Sequence, residues 1–369
     1  MGIRQIINSV FVENMADIPV ELGEELSSPI TVSVDGIDRI SFRLYGVGGQ
    51  VNIHTSDIAR SFMQAQDPCI DTNDPIKIPL PKLQISCKNE TATEELSIWT
   101  TPMIFGGYDD DSVPSETAFL RHSFLTVRPQ QCRVVPGVKE QLTFVIIEED
   151  GEAGVAHSPN VRSIKATIYF RAAMPLVLEL FEADGNDAMY RIDCSLNTIE
   201  QLVRNQGIDD IIVAYDIWGD GDVQIYPQRF VVAHISANQT HFFFQNSLGG
   251  FDTVTASGTA VAMSEGENII ASYRQEESEL GNNYRDIWEV NTGYIQTLEE
   301  ERLWRDFLRS SNRWLLTPNG KSHRIIVDEY KAERPNLQLG AFTIKFHLAK
   351  QAKTKITRKT SLDNYTHKI

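Results

Sequence analysis

The chain has 369 residues, 41% apolar and 23% charged, proportions of a globular protein that exclude disorder as its dominant state. At roughly 100–200 residues per domain this length predicts two or three domains, and no run of about 18 apolar residues exists to form a transmembrane helix. The formal charge of −16 argues against general nucleic-acid affinity, because binding phosphates requires a net positive face.

The first residues, Met1 to Asn8, hold one positive side chain and no long apolar core. They do not read as a signal peptide, so synthesis in the cytoplasm is expected. Residues 1–25 lack clear periodicity and are expected to form an arm. From Ile30 the pattern turns to β. Val32 and Val34 alternate with polar residues, Asp35-Gly36 is a hairpin signal, and Ile40, Phe42 and Leu44 continue the alternation. A glycine loop, Gly46 to Gly49, leads to a strand at Val51-Asn52-Ile53, and Asp57 to Phe62 reads as a short helical turn. After a polar connection at 64–80, strands are expected at Leu83-Gln84-Ile85 and Leu96 to Trp99. The first domain is expected to end near Glu149, where the Glu148 to Gly154 run reads as a linker or hairpin tip.

Ile164, Ala166, Ile168 and Phe170 then alternate with Lys165, Thr167 and Tyr169, and Leu176, Leu178 and Leu180 follow with period two. A helix is expected over 196–206, with Leu196, Ile199, Leu202 and Val203 on one face and Gly207 as its stop. Strands follow at 211–215 and 230–235, with Trp218 to Asp222 read as the turn between them. The third region opens on Phe242-Phe243-Phe244, with a strand after Gly249-Gly250. The clearest helix is 298–309, where Thr297 and Glu300 have capping-box spacing and Leu303, Trp304, Phe307 and Leu308 form a stripe. A last strand covers 339–348, with Phe342, Ile344, Phe346 and Leu348 on one face.

Many short strands separated by polar turns, without interleaved helices, predict an all-β fold of two or three β-sandwich domains with a few short helices. The expected division is an arm at 1–25, domains at 26–150, 151–240 and 241–349, and a basic tail at 350–369.

The tail holds Lys350, Lys353, Lys355, Arg358, Lys359 and Lys368 against Asp363, a balance of +5 that leaves −21 on the other 349 residues. It could reach a phosphate backbone, dock on the acidic surface of a neighbouring copy, or stay solvated. The four cysteines, Cys69, Cys87, Cys132 and Cys194, include no Cys-x-x-Cys pair, so buried thiols are expected rather than a zinc site or disulfide framework. Asp216, Asp220 and Asp222 could ligate calcium, but their spacing departs from the EF-hand loop and a turn role is favoured; Asp109 to Asp111 read the same way. The eight histidines form no metal-binding pair, and neither a nucleophile elbow nor a phosphate-binding loop is present. No catalytic residue, cofactor or metal ligand is therefore assigned, and the chain is read as a non-enzyme.

In a strand, Phe242, Phe243 and Phe244 would place apolar groups on both faces. Such a strand is buried on two sides, once in its own domain and once against another domain or subunit. These three residues, with Lys350, Lys353, Lys355, Arg358 and Lys359, are the expected interface residues.

Four stretches carry a family resemblance: 32–62 (VSVDGIDRISFRLYGVGGQVNIHTSDIARSF), 99–131 (WTTPMIFGGYDDDSVPSETAFLRHSFLTVRPQQ), 241–260 (HFFFQNSLGGFDTVTASGTA) and 288–316 (WEVNTGYIQTLEEERLWRDFLRSSNRWLL), followed by LGAFTIKFHLA at 339–349. The series resembles virion tail- and neck-region proteins of phages and prophages of Bacteroidetes-type gut bacteria, of the ring-protein type of crAss-like phages. The phrase FFFQNSLGGFD is its most specific part. The resemblance spans most of residues 30–349; the basic tail departs from it. It implies a structural subunit of β-sandwich domains, located in the virion after assembly in the host cytoplasm. Its partners would be copies of itself in a ring, other tail, neck or portal proteins and, passively, DNA in the tail channel. It supplies no catalytic residues. The rival reading is a tail-tip carbohydrate-binding or glycan-degrading module, for which Trp99 with Tyr108 and Asp109, or Trp218 with Asp220, are the places to look.

Overall fold

The computed structural model describes residues 4–6, 10–21, 27–45, 50–63, 73–88, 96–108, 115–146, 163–182, 188–221, 224–233, 239–273, 276–317, 321–333 and 340–349. The chain is all-β, a set of packed sheets with four α-helices among the described residues.

The first unit contains β1 (Arg4–Ile6), β2 (Ile18–Glu21), β3 (Ser27–Val34), β4 (Ile37–Tyr45), β5 (Gln50–Ile53) and α1 (Thr55–Phe62). Next along the chain come β6 (Ile76–Pro79), β7 (Lys82–Lys88) and β8 (Leu96–Pro102). One sheet runs β1-β8-β7-β3-β4, with β1 parallel to β8, and β2 pairs with β5. Asp35 (φ 53°) and Gly36 (φ 75°) join β3 to β4 through two left-handed residues, the geometry whose twist matches a hairpin. Ile30, Val32, Leu83 and Ile85 face Ile18, Val20, Ile53 and Ala59 across the core. The segment expected as an arm is part of this core: Val12, Met15, Ile18 and Val20 are buried in it.

The second unit holds α2 (Glu116–His122), β9 (Gln131–Val134), β10 (Gln141–Ile146), β11 (Ser163–Phe170), β12 (Leu176–Glu182) and β13 (Ala188–Asp193). It continues with α3 (Leu196–Asn205), β14 (Ile212–Asp220) and β15 (Ile225–Val232). A five-stranded sheet, β12-β11-β14-β15-β9, faces a three-stranded one, β10-β13-β6. Ile164, Ala166 and Ile168 point into the sandwich and Lys165, Thr167 and Tyr169 point out, as period two requires. β10 and β13 are buried on both faces: Phe144 and Tyr190 fill the sandwich while Val145 and Met189 face the junction with the other units.

The boundary expected near Glu149 is not a sheet boundary. β6, β9 and β10 precede it, yet they pair with β13 and β15 beyond it. Trp218 and Asp220, expected in a turn, lie within β14, because Lys165 and Ser163 of β11 extend the ladder to them.

The third unit comprises β16 (Thr240–Gln245), β17 (Phe251–Ala256), β18 (Ala260–Tyr273), β19 (Glu276–Asn291), α4 (Leu298–Arg309), β20 (Arg313–Leu316), β21 (Ser322–Glu333) and β22 (Ala341–Leu348). They form one seven-stranded sheet, β17-β16-β20-β21-β22-β19-β18. The Thr297 hydroxyl accepts from Glu300 N at 3.1 Å, three glutamates occupy the first turn of α4, and Arg309 occupies its last, an arrangement suited to the helix dipole. Its Leu303, Trp304, Phe307 and Leu308 pack onto Phe242, Phe244 and Phe346 of the sheet.

The units meet through backbone as well as side chains. A Cβ on Gly106 would lie 2.1 Å from Ser247 O, and one on Gly249 would lie 2.0 Å from Phe105 O. Only glycine permits that approach, and both residues also hold positive φ. Asn246 locks the same turn, accepting from Leu248 N and Gly250 N and donating to Leu125 O and Asp252.

Candidate interaction surface

β18 and β19 are 14 and 16 residues long and pair in antiparallel register from Ala260–Val290 to Tyr273–Glu276. β22 pairs with β19 only from Asn291–Thr343 to Trp288–Phe346. Among the described residues, no strand other than β19 pairs with β18, and none accompanies β19 beyond Trp288. From Ser264–Asp286 outward the ribbon therefore has two strands, and ten residues at ~3.3 Å give an arm of about 30 Å. A two-stranded ribbon is marginal alone in water, and its edges present unpaired N–H and C=O groups ready for another chain. Val261 is 50% exposed and Ile270 59%. The base of the arm is held by Ser264 donating to Asp286 at 2.8 Å, and by Arg285 reaching Asp328 on β21 at 3.3 Å.

The expected interface residues divide. Phe242, Phe243 and Phe244 lie on β16, all with 0% exposure. The strand is buried on two sides, as their run suggests, but within one chain. Phe242 and Phe244 face α4 and β22, while Phe243 stacks on Phe251 at 5.3 Å in a cluster with Val135 and Val138 of the second unit. Of the two expected covers for the second face, another domain or a subunit, it is another unit of the same chain that buries them, and no surface for a neighbouring subunit is left on them. Lys350, Lys353, Lys355, Arg358 and Lys359 lie outside the described residues.

The carboxylate clusters are committed to neighbours. On the outer face of the five-stranded sheet, Arg229 grips Asp216 with two bonds of 2.7 Å, and Tyr169 donates to Asp216 at 3.0 Å. Partial burial, then the bond to Asp216, raises the Tyr169 phenol above its ordinary value. Lys165 pairs with Asp220 and sits 5.6 Å over the Trp218 ring, while Trp218 Nε1 donates to Thr167. Asp216 and Asp220 thus neutralise cations on adjacent strands, and Asp222 lies outside the described residues. Tyr108 packs edge-on against Phe11 at 5.4 Å, Trp99 sits on β8, and Asp109 lies outside the described residues.

A cleft of about 300 Å³ opens beside the start of α3, lined by Asn73, Lys139, Asp193, Asn197, Thr198 and Gln201. Lys139 bridges Asn73 Oδ1 (2.7 Å) and Asp193 Oδ2 (2.8 Å), and Asp193 accepts from Ser195 N, Ser195 Oγ and Thr198 Oγ1. These bonds tie the start of α3 to the end of β13, and the Ser195 hydroxyl also accepts from Glu140 N at 2.8 Å.

Sequence reasoning missed the most developed polar cluster, which is buried between the units. Arg128 lies 2.8 Å from Glu140 and 3.0 Å from Asp252, with all three side chains at 6% exposure or less. Asp252 also accepts from Thr126 Oγ1 and Val127 N. Burial pushes the Glu140 carboxyl up to about 7 against the pull of Arg128. Burial opposes the Arg128 charge too, but Glu140 and Asp252 outweigh it and hold the guanidinium protonated. Lone Arg, Glu and Asp residues spread over 125 positions offer no spacing signal, so only the fold reveals this cluster.

Among the described residues no group of three or more His, Cys, Asp or Glu side chains gathers as a metal site, and no helix is long and apolar enough to cross a membrane. No protein-family model and no curated protein matches the chain. Among solved structures, a chimeric titin Z1Z2-Z1Z2 tandem is similar at 10% identity over 63% of this chain and 95% of its own, with a TM-score of 0.15. The SGBP-B protein of the Bacteroides ovatus mixed-linkage glucan utilization locus, solved with a heptasaccharide, is similar at 12% identity over 76% of this chain and 65% of its own, with a TM-score of 0.14. At scores this low neither likeness carries a functional argument.

Proposed function

We propose that the chain is a non-catalytic structural subunit of a tailed phage, assembling with copies of itself into a ring in the tail or neck below the portal. The observation that carries the assembly reading is the β18–β19 arm, a long ribbon extended past its own sheet whose outer strand β18 has an edge that no described strand pairs, with exposed Val261 and Ile270. Such a ribbon gains little for a lone chain and much when a neighbour covers it. Rings need a contact in which one face of a subunit meets a different face of the next, and an arm on one side provides half of it. The tail or neck assignment rests on the sequence resemblance, above all on FFFQNSLGGFD at 242–252. Structurally, that segment is the Phe triplet and the Asn246–Gly249–Gly250 turn that bind the units into one body. The glycan-binding alternative is less well supported, because Lys165 lies over the Trp218 ring and Arg229 over Tyr169, where a sugar would stack.

Negative-stain images of the purified full chain test this reading. Closed rings of uniform diameter are expected. Dispersed single particles at every concentration, together with glycan capture on an array, would favour the sugar-binding alternative.

A further inference from the structure

We propose that the open edge of β19 is the docking site of the chain's own C-terminal segment, residues 350–359, which adds to it as a continuation of β22. The inference does not depend on the assembly reading. β22 already runs antiparallel to β19, with Thr343 facing Asn291, Lys345 facing Glu289 and Phe346 facing Trp288. Pairing stops there, although β19 continues back to Glu276. The same register carried onward would set residue 350 beside 284 and residue 353 beside 281, along an edge of β19 that no described strand pairs. Ala349 N still donates to Arg324 O at 2.8 Å, which keeps the departing chain on the sheet.

Two features of the sequence fit that course. The alternation of β22 buries Phe342, Ile344, Phe346 and Leu348 and leaves Thr343, Lys345 and His347 partly exposed. Residues 352–356 repeat it, with Ala352, Thr354 and Ile356 on the first row and Lys353 and Lys355 on the second, while Lys350 and Arg358 at either end place charges on the first row. Charge also matches. Residues 260–291 carry seven acidic residues against Arg274 and Arg285, a balance of −5, and residues 350–369 carry +5. Lys345 already shows the pairing at the base, 3.8 Å from Glu289 and 3.7 Å from Glu329. Opposite charges facing each other across a ladder stabilise it. A third strand also converts a marginal two-stranded ribbon into a sheet of the size that holds in water.

Disulfide trapping tests the register in the full chain with Cys69→Ser. The pairs Tyr284→Cys/Lys350→Cys and Asn283→Cys/Gln351→Cys are adjacent, so one of them occupies the close, non-hydrogen-bonded site suited to a disulfide. The expected product is an intramolecular cross-link in monomer, confirmed by peptide mapping. A cross-link between two chains would show that the tail docks on a neighbour, and no cross-link in either pair would show that it docks elsewhere; both overturn the proposal. Hydrogen exchange supplies a second readout that needs no new thiol. Amides at 276–286 are expected to exchange at least tenfold faster in the Lys353→Glu/Lys355→Glu/Arg358→Glu variant, with amides of β16 and β20 unchanged as the control for folding. Equal exchange at 276–286 in variant and parent would contradict the docking.

Discussion

Arg128 Nε lies 3.0 Å from Asp252 Oδ1, and the two side chains are 1% and 0% exposed. Arg128 precedes β9 in the second unit and Asp252 sits on β17 in the third, so this ion pair ties two sheets together through the protein interior. Removing one partner leaves the other charge buried without compensation, which typically costs about 3–5 kcal/mol. Asp252→Ala is therefore expected to lower unfolding stability by roughly that amount, with additional loss from Thr126, Val127 and Asn246. Urea denaturation of the variant measures it, and a change under 1 kcal/mol would show that the pair does not hold the units together.

The glycine contacts make a separable prediction. Gly249→Ala and Gly106→Ala each push a methyl group into a carbonyl oxygen at positive φ, so either variant is expected to lose the junction between the units. Gly207 is the control. It also has positive φ (75°) but faces open space, so Gly207→Ala is expected to cost only about 1 kcal/mol. Equal melting temperatures for Gly249→Ala and Gly207→Ala would disprove the close approach.

Stability is expected to depend on pH through two buried groups of opposite sign. Glu140 is raised from 4.5 to about 7 by burial, so the folded state holds its proton over that window while the unfolded chain does not, and stability falls as pH rises through it. His241 is lowered from 6.5 to about 4 by burial, so the unfolded chain binds the extra proton between those values, and stability is lost as pH falls through them. Glu140→Gln removes the first slope and leaves the second, up to ~1.4 kcal/mol per pH unit. Urea midpoints of parent and variant between pH 4.5 and 7.5 are expected to diverge steadily with pH. Parallel profiles would show that Glu140 does not hold its proton in the fold.

The legibility of the sequence followed the reach of each physical signal. Period-two alternation in 164–170 and 342–348, and the capped stripe of α4, depend on near neighbours, and the structure shows those elements where the pattern places them. The β18–β19 ribbon went unread because its strands carry Glu265, Gly266, Glu267 and Gly281 where a buried face would show apolar residues; a ribbon outside the core has no face to bury. The unit boundary was misplaced because β6, β9 and β10 pair with strands more than 40 residues away, and ladder partners leave no local trace. α2 was missed because only Ser115, accepting from Ala118 N, marks its start. The Phe triplet was legible as a doubly buried strand, but burial inside one chain and burial between chains have the same composition.

Phe243 and Ile270 separate core from surface. Phe243→Ala removes a ring held between Phe251, Trp314 and the Val135–Val138 segment, and is expected to cost about 3–5 kcal/mol. Ile270→Ser, on the arm, is expected to change stability by less than about 0.5 kcal/mol while weakening self-association. Thermal unfolding paired with sedimentation velocity reads both effects. An Ile270→Ser protein that associates like the parent would remove this residue from the contact.

The arm itself gives the most direct measurement. Residues 266–284 are replaced by Asn-Gly, which closes the ribbon as a two-residue hairpin between Glu265 and Arg285 while sparing the ladder to β22. Multi-angle light scattering then compares the mass of the shortened protein with that of the full chain over a range of concentrations. The account predicts a defined higher oligomer for the full chain and a folded monomer for the shortened one. A full chain that stays monomeric throughout, or a shortened one that assembles as before, would contradict it.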